Sequence, residues 1–449
     1  MLLEATATTQ WWCSRCSVDP VHAESRSSSR AVAGTIWDML AVAFAPLRAR
    51  DFRLLLGART ASLLGTAMAP VGLAFAVLHA TGRVGDLGLV LAVQSAAMLV
   101  LLPVGGVVAD RRPRRQVLIT ADCVSALAQS ATTGVVLAGS RSIVLLAGLQ
   151  AFVGASRAFA APALTGLVPQ TVPAQVRQQG NALVGLTRNI TGLLGGPLAG
   201  LLAVLFGPPA ALAVDAGSYA VSASCWFRLR VVVGGSGGGG MLTDLREGWT
   251  EFRSRTWLWA IVVQFAVLVG FGVAAFDVLG PVVARDRLGG ASSFGIVLGA
   301  EALGAVAAGL LALRVRFRRP LLVGTYGTLL LVPELLLLAW SSSLAAISVS
   351  AAAAGAGMGL FGVLWETALQ DLVPPDALSR VSSYDALGSF VLLPVGLALM
   401  GPLVGAVGVP SALVSGAVGV LVPTLGVLAV RDVRRPIDEL HAARVPIPT

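Results

Sequence analysis

The sequence contains no lysine, only three histidines and only four cysteines among its 449 residues. Without lysine there is no Gly-x-x-x-x-Gly-Lys phosphate loop, so a Walker-type ATP site is excluded. His22, His79 and His441 belong to no recognisable motif, so we expect no histidine-based catalysis and no enzyme activity. Cys13 and Cys16 form one isolated Cys-x-x-Cys, which lacks the second ligand pair of a zinc site. We therefore expect no metal and no cofactor.

Charged residues are scarce as well. They make up 12% of the chain, whereas 56% of the residues are hydrophobic and the mean hydropathy is +0.82. A soluble domain carries roughly 25% charged residues, so an ordinary soluble fold is excluded. A helix that crosses a bilayer needs about 20 mostly apolar residues. We therefore expect an all-α polytopic membrane protein with twelve transmembrane helices. The predicted spans lie near residues 54–79, 85–108, 117–138, 142–162, 184–206, 209–228, 257–283, 293–313, 321–340, 344–366, 385–408 and 410–430.

The basic residues are all arginine, and their distribution indicates how the chain is oriented. With twelve spans, 28 of the 32 arginines fall in the tails and the even-numbered connections, and 4 fall on the other side. Positive residues are retained on the cytoplasmic side of a membrane. We therefore expect a multi-pass protein of the inner (plasma) membrane with both termini in the cytoplasm. The net charge of +9 then reflects topology and attraction to anionic membrane lipid, and we expect no nucleic-acid partner.

The two halves of the chain repeat each other. Leu167-Val168-Pro169 recurs 205 residues later as Leu372-Val373-Pro374, and Pro197 recurs as Pro402 at the same offset. Such an internal sequence repeat is typical of two parallel six-helix repeats. The expected organisation is a disordered cytoplasmic N-tail (1–45), an N-terminal six-helix bundle (46–230), a cytoplasmic linker with an amphipathic segment (231–256), a C-terminal six-helix bundle (257–431) and a cytoplasmic C-tail (432–449).

Four arginines and one aspartate are concentrated between the second and third predicted spans, in Gly106-Val-Val-Ala-Asp110-Arg111-Arg112-Pro113-Arg114-Arg115. This segment resembles the loop between the second and third helices of the major facilitator superfamily, Gly-x-x-x-Asp-Arg-x-Gly-Arg-Arg. The matching positions are Gly106, Asp110, Arg111, Arg114 and Arg115, and Pro113 stands in place of the second glycine.

The resemblance implies a gate at this loop. In the family, the loop makes charge-assisted contacts with the eleventh helix, and these hold the outward-facing state closed on the cytoplasmic side. Asp385, at the start of the eleventh predicted span, is the expected partner, because arginine and carboxylate pair directionally. The alternative is that the arginines only fix the orientation of the chain.

The fifth predicted span contains a second pattern, Gly192-Leu-Leu-Gly-Gly196-Pro197-Leu-Ala-Gly200. It resembles the antiporter motif of drug–proton exchangers, Gly-x-x-x-Gly-Pro-x-x-Gly-Gly. Gly192, Gly196, Pro197 and Gly200 match it, and Leu201 replaces the final glycine. Two interpretations stay open: close packing through glycines four residues apart, or a proline bend that, as the resemblance implies, biases transport towards export.

Ionisable residues inside the predicted spans are candidates for proton coupling, because each is costly in the membrane and usually functional. Asp277 in the seventh span and Glu301 in the eighth are the leading candidates, and Asp215 in the sixth is the next. The alternative for each is an interfacial position, or a pairing with a hydroxyl group or an arginine.

Other charged residues near the spans are expected to have structural roles. Glu366 is expected to join Arg380 in a structural or gating network. Arg59 and Arg157 are expected to be gate partners, or to snorkel to the membrane surface, rather than to bind substrate.

Residues 46–432 as a whole resemble facilitator exporters of the macrolide-efflux and enterobactin-exporter type, notably at Leu64–Val71 and Asn181–Asn189. The resemblance implies a central cavity lined mainly by helices 1, 4, 7 and 10. It also implies a monomer that exports a small amphipathic compound (a drug, macrolide or siderophore-like molecule) by proton antiport and alternating access. The alternatives are an importer or facilitator of a small nutrient, and a non-transporting membrane sensor or assembly subunit.

Overall fold

A computed structural model describes residues 44–165, 167–173, 176–230, 249–315 and 317–436. These residues contain helices and no strand, which confirms the all-α fold class. The first half contains α1 (Arg50–Thr81), α2 (Val84–Arg111), α3 (Arg114–Leu137), α4 (Ile143–Thr165), α5 (Arg177–Phe206) and α6 (Pro209–Arg228). The second half contains α7 (Thr256–Leu288), α8 (Ala291–Arg314), α9 (Pro320–Trp340), α10 (Leu344–Leu372), α11 (Pro375–Phe390) and α12 (Leu393–Leu428).

The predicted N-tail, most of the linker and the end of the C-tail lie outside the described residues, as do Cys13 and Cys16. Three short helices, Ala45–Arg48, Val168–Thr171 and Arg431–Arg434, also belong to the described residues.

Nine helical stretches of the described residues are long and apolar enough to cross a membrane. One of them, Val381–Leu428, contains the predicted eleventh and twelfth spans. Gly408 divides it, because its φ of 78° is left-handed and a helix cannot continue through it. The helices α3 and α6 are not among the nine, and the count of twelve crossings stays a prediction. Both helices bury polar side chains, Asp122 and Gln129 in α3 and Asp215 in α6.

The buried core is continuous between the halves at one end of the molecule only. We call the end that carries Arg111–Arg115 the basic end, and the other the opposite end. At the opposite end a single buried cluster contains Leu87 of α2 together with Leu279 of α7 and Leu397 of α12. At the basic end each half has its own cluster, around Phe52 in the first half and Trp257 in the second. The described halves are therefore packed together at the opposite end and apart at the basic end.

Two helix crossings hold the halves together, and both use glycine. Gly85 of α2 lies against Gly401 of α12, where a Cβ built on Gly85 would be 3.4 Å from the Gly401 Cα. Gly200 of α5 lies against α8, where a Cβ would be 2.9 Å from the Ala291 carbonyl oxygen. Glycine at such positions lets two backbones approach closely.

Candidate functional site

The first half encloses a cavity of about 520 Å³. One face of α1 contributes residues with helical spacing, Arg59, Ser62, Leu63 and Thr66, which lie above one another on a helix. The remaining walls come mainly from α3, α4, α5 and α6. The apolar lining includes Leu55, Leu63, Met98, Leu118 and Leu164, and the polar lining includes Arg59, Thr66, Asp122, Arg157 and Tyr219.

A second cavity, of about 270 Å³, lies between the halves. Its first-half walls come from α1, α2 and α4, and its second-half walls come from α7, α8 and α12. Arg157 and Met98 line both cavities, so the two cavities adjoin at these side chains. Phe294 and Leu397 border the second cavity and belong to the core cluster of the opposite end.

The lining of these two cavities differs from the expectation for helices 1, 4, 7 and 10. Helices α1 and α4 line both, and α7 contributes Asp277, but α10 contributes to neither. Small residues of α10 pack closely on its neighbours instead: Gly355 lies against the Glu301 backbone, and Gly357 against Gly327.

Asp277 projects into the cavity between the halves. It makes no hydrogen bond and no ion pair with any described residue, and its side chain is exposed to this cavity. Its charge acts on Glu301 of α8, and the charge of Glu301 acts on Glu334 of α9. Glu334 is fully buried, and neither of its carboxylate oxygens has a hydrogen-bond partner. A series of three acidic side chains therefore leads from the cavity into the second half.

Asp215 occupies a different environment. It is fully buried in α6, where its Oδ2 accepts a hydrogen bond of 2.7 Å from Gln129 Nε2. Gln129 in turn accepts from Gln150 Nε2 at 2.8 Å, and Gln150 accepts from Gln94 Nε2 at 2.8 Å. This chain of amides links α2, α4, α3 and α6. Asp215 lines neither cavity, but Gln94 and Gln150, at the other end of this chain, line the cavity that contains Asp277.

Arg157 lies where the two cavities meet, not at the membrane surface. Its Nη2 is 3.4 Å from the Tyr219 hydroxyl group, which is 3.1 Å from the Thr66 hydroxyl group. Its buried Nε has no hydrogen-bond partner. Asp215 interacts with it electrostatically, so the carboxylate partly balances the arginine from behind the cavity wall.

Arg59 and Asp122 are two further charged residues that line the first-half cavity. Asp122 Oδ2 accepts a hydrogen bond of 2.8 Å from Trp226 Nε1, and its charge acts on Arg59 without direct contact. Arg59 makes no hydrogen bond or ion pair with any described residue. Its guanidinium group is therefore available to the cavity.

Among the described side chains, Asp385 makes no ion pair with Arg111, Arg114 or Arg115. The side chain of Asp110 lies outside the described residues, and Gly106 has open space around it. Asp385 accepts hydrogen bonds from Trp365 Nε1 at 3.0 Å and from the Ser389 hydroxyl at 3.2 Å, both in its own half. Asp385 and the described arginines of the loop therefore lie in halves that are apart at the basic end, and the latch stays a prediction.

The arginines of the same loop have a local role. Arg115 donates to the backbone carbonyl groups of Trp226, at 2.9 Å, and Phe227, at 2.6 Å. A cation at these carbonyls caps the end of α6. Arg111 is exposed and Arg114 is half-buried. Arg380, the expected partner of Glu366, has a side chain outside the described set, and Glu366 itself is exposed.

The antiporter-like residues lie at the crossing of α5 and α8. A Cβ on Gly196 would be 2.7 Å from the Leu298 Cβ, and one on Gly299 would be 2.7 Å from the Pro197 Cγ. Gly200 packs on the start of α8. Gly192 faces open space, so it takes no part in this crossing.

Sequence reasoning missed several residues of the site. Asp122 lies within the third predicted span and meets the same criterion that identified Asp215, so it could have been found. Gln129 and Gln150 carry a weaker signal, a polar residue in an apolar run. Tyr219 carries no signal, because its importance comes from its contact with Arg157 across α4 and α6.

Comparison with known proteins agrees with this architecture. The family model of the Major Facilitator Superfamily matches residues 28–384. No curated protein sequence matches the chain. Similar solved structures include a bacterial homolog of the human lysosomal transporter Spinster, in an inward-facing and unoccupied conformation, with a TM-score of 0.66 and 15% identity over 86% of this chain and 97% of that one. A POT family transporter in complex with a thioalcohol-conjugated peptide has a TM-score of 0.68 and 14% identity over 84% and 95% of the chains. The nucleoside transporter NupG has a TM-score of 0.63 and 13% identity over 84% and 98%. At these identities the likeness extends to the fold.

Proposed function

This chain belongs to the major facilitator superfamily, and from that premise we propose that it exports a small amphipathic compound in exchange for protons. The observation that carries the proposal is Asp277, an acidic side chain without a partner in a cavity between the two halves. An unpaired carboxylate within a membrane is costly and is usually functional. A role in binding a proton from one side of the membrane and releasing it to the other would explain why an unpaired carboxyl group is kept at this position.

Alternating access supplies the second part of the proposal. The halves pack together at the opposite end and stay apart at the basic end, which is one of the two states that such a cycle requires. A ligand changes the populations of two states only by its difference in affinity for them. Protons and cargo are exchanged across the membrane if either one, when bound alone, shifts the protein from one of these two states to the other.

The orientation follows from the arginines. We propose that the basic end faces the cytoplasm of the inner (plasma) membrane, because positive residues are retained on that side. Both termini are then cytoplasmic, and the state described here is open to the cytoplasm. We further propose that Asp385 pairs with the arginines Arg111–Arg115 in the state that is closed on this side.

The position of the α5–α8 crossing, at the opposite end of the molecule, supports the proposal that the protein is an exporter. Gly196, Pro197 and Gly200 pack at the end where the halves must separate to release cargo outwards. Close packing of glycines allows two helices to slide or part without losing large side-chain contacts. We propose that this crossing sets the balance between the two states.

The decisive experiment is expression in a host that lacks its major efflux pumps, followed by a resistance screen over many compounds. Wild-type protein is expected to confer resistance to at least one amphipathic compound, and the resistance is expected to collapse when a protonophore dissipates the proton gradient. Increased sensitivity, or accumulation of the compound, would indicate import instead. A purified protein that moves no compound in proteoliposomes yet binds a protein partner would indicate a sensor or assembly subunit.

A further inference from the structure

The first-half cavity presents two guanidinium groups to its interior. Arg59 comes from α1 and Arg157 from α4, and both line the same space of about 520 Å³. Arg59 has no hydrogen-bond or ion-pair partner among the described residues, and the buried Nε of Arg157 has none. A buried polar group is normally hydrogen-bonded, so the unpartnered Nε of Arg157 is a donor that a ligand in this cavity could satisfy, and the half-buried Arg59 is accessible from the same cavity.

The acidic residues nearby do not take up these donors. Asp215 interacts with Arg157 from behind the wall but lines neither cavity, and its Oδ2 is occupied by Gln129. Asp122 lines the cavity, but it accepts from the Trp226 indole and does not form an ion pair with Arg59. The two carboxylates reduce the cost of burying positive charge and leave the guanidinium groups free to bind.

The lining also contains apolar side chains, among them Leu63, Met98 and Leu164, besides several serines. Ligand sites usually combine such a surface with a few polar groups that fix orientation. Arginine is the residue best suited to hold a carboxylate, because its fork of donors matches both oxygens. We propose that the cargo is an amphipathic organic acid whose carboxylate binds at Arg157 while its apolar body fills the first-half cavity. This proposal rests on the proposed transport function and specifies its substrate class.

The two arginines have different positions along the path. Thr66 is linked to Arg157 through Tyr219, and Arg59 lies seven residues before Thr66, towards the basic end. Seven residues of helix rise about 10 Å. The cargo anion therefore meets Arg59 first and Arg157 at the junction with the cavity of Asp277. We assign Arg157 to binding and Arg59 to attraction of the anion from the basic end.

The test is equilibrium binding to the purified full chain in detergent, with three probes that share one apolar body. They are 2-naphthylacetate, its methyl ester and 2-(2-naphthyl)ethylammonium. We expect the carboxylate to bind at least about tenfold more tightly than the other two, since a charge-assisted bidentate contact is roughly twice as strong as a neutral one.

Substitutions assign this preference to the arginines. Arg157→Gln is expected to lower carboxylate affinity about tenfold and to leave ester affinity unchanged, and Arg157→Lys is expected to restore part of the loss. Arg59→Gln is expected to have a smaller effect in the same direction. Arg83→Gln, at the opposite end and outside both cavities, serves as the matched control and is expected to bind all probes as wild type does. If Arg157→Gln does not elute as folded protein, Arg157→Lys and Arg59→Gln decide the question.

Three results would overturn the proposal: equal affinity for the three probes, a preference for the ammonium probe, or carboxylate binding too weak to detect at about 1 mM. Retention of the acid preference by the Arg157 and Arg59 variants would do the same. Binding in detergent requires neither a membrane nor a proton gradient. A chain that exports compounds in the resistance screen but prefers the ammonium probe therefore contradicts only the substrate class. A chain that prefers the carboxylate but shows no proton-coupled export contradicts only the direction and coupling.

Discussion

Arg157 of α4 and Asp277 of α7 line one cavity from opposite halves of the protein and do not form an ion pair. The charge of Arg157 acts with Tyr219 and Asp215, and the charge of Asp277 acts on Glu301. A proton on Asp277 and an anion at Arg157 would therefore occupy one shared space, each held from a different half of the protein.

Asp277→Asn is expected to abolish proton-driven transport, because an amide has the shape of the protonated carboxyl group and cannot release a proton. Everted membrane vesicles, in which respiration acidifies the lumen, should lose uphill uptake of cargo to background level. Exchange of labelled for unlabelled cargo, which needs no proton, should continue. Asp286→Asn is the matched control in the same helix, because Asp286 is exposed and paired with Arg285, and it should transport normally. Full uphill uptake by Asp277→Asn would show that the coupling carboxyl lies elsewhere.

Glu334→Met is expected to stabilise the protein. Both carboxylate oxygens of Glu334 are buried without a hydrogen-bond partner, and an unsatisfied buried polar group costs about 1–3 kcal/mol. Methionine has a similar length and no such requirement. The midpoint of thermal unfolding in detergent should therefore rise. Glu366→Met removes an exposed carboxylate and should change stability by less than about 0.5 kcal/mol. A lower midpoint for Glu334→Met would mean that the acid makes an interaction which the apolar side chain cannot replace.

The sequence indicates the acidic candidates but not their surroundings. Asp277 and Glu301 stand out because acidic residues in apolar runs are rare, and in the structure the charge of Asp277 acts on Glu301. The same rule selects Asp215, which instead lies at the end of a hydrogen-bonded chain of glutamines. The sequence of a single helix does not indicate which helices surround it. The different surroundings of Asp215 become visible only when the packing of α6 against α3 is known.

Arg157 lies elsewhere than the sequence suggests. An arginine near the end of an apolar run fits snorkelling to the membrane surface, whereas in the structure it lines both cavities. Its position depends on Tyr219 and Thr66, which come from two other helices. The predicted spans 117–138 and 209–228 correspond to α3 and α6, in which Asp122, Gln129 and Asp215 are buried in the protein interior. Apolar composition predicts contact with lipid better than contact between helices.

Gly65→Ala is expected to destabilise the first half. A Cβ on Gly65 of α1 would lie 2.7 Å from Asp215 Oδ1 and 2.8 Å from the Ser218 Cβ. Such overpacking typically costs about 1–3 kcal/mol, so the thermal midpoint should fall. Gly57→Ala is the control on the same helix, because nothing lies within 4 Å of its Cβ and alanine favours a helix by up to about 1 kcal/mol. Equal midpoints for the two variants would contradict the close approach of α1 to Asp215.

Gly200→Ala is expected to shift the protein towards the state that is open at the opposite end. The added Cβ would lie 2.9 Å from the Ala291 carbonyl oxygen and 2.9 Å from the Ser292 Cα. Both are backbone atoms, so α5 and α8 must move apart. The clash exists only while the halves are packed at this end, and the substitution therefore raises the free energy of one state and spares the other.

Spin labels on Arg83→Cys and Val407→Cys, in a background with the native cysteines replaced by serine, measure the separation of the halves at the opposite end. The distance distribution of Gly200→Ala should gain a component at longer distance. This component should hold roughly half of the population if the free-energy cost of the clash equals the free energy by which the parent protein prefers the packed state. Gly192→Ala changes the same helix at a position with open space and should reproduce the parent distribution. An unchanged distribution in Gly200→Ala would mean that the α5–α8 crossing stays closed throughout the cycle, and the exporter motif would then be a packing element alone.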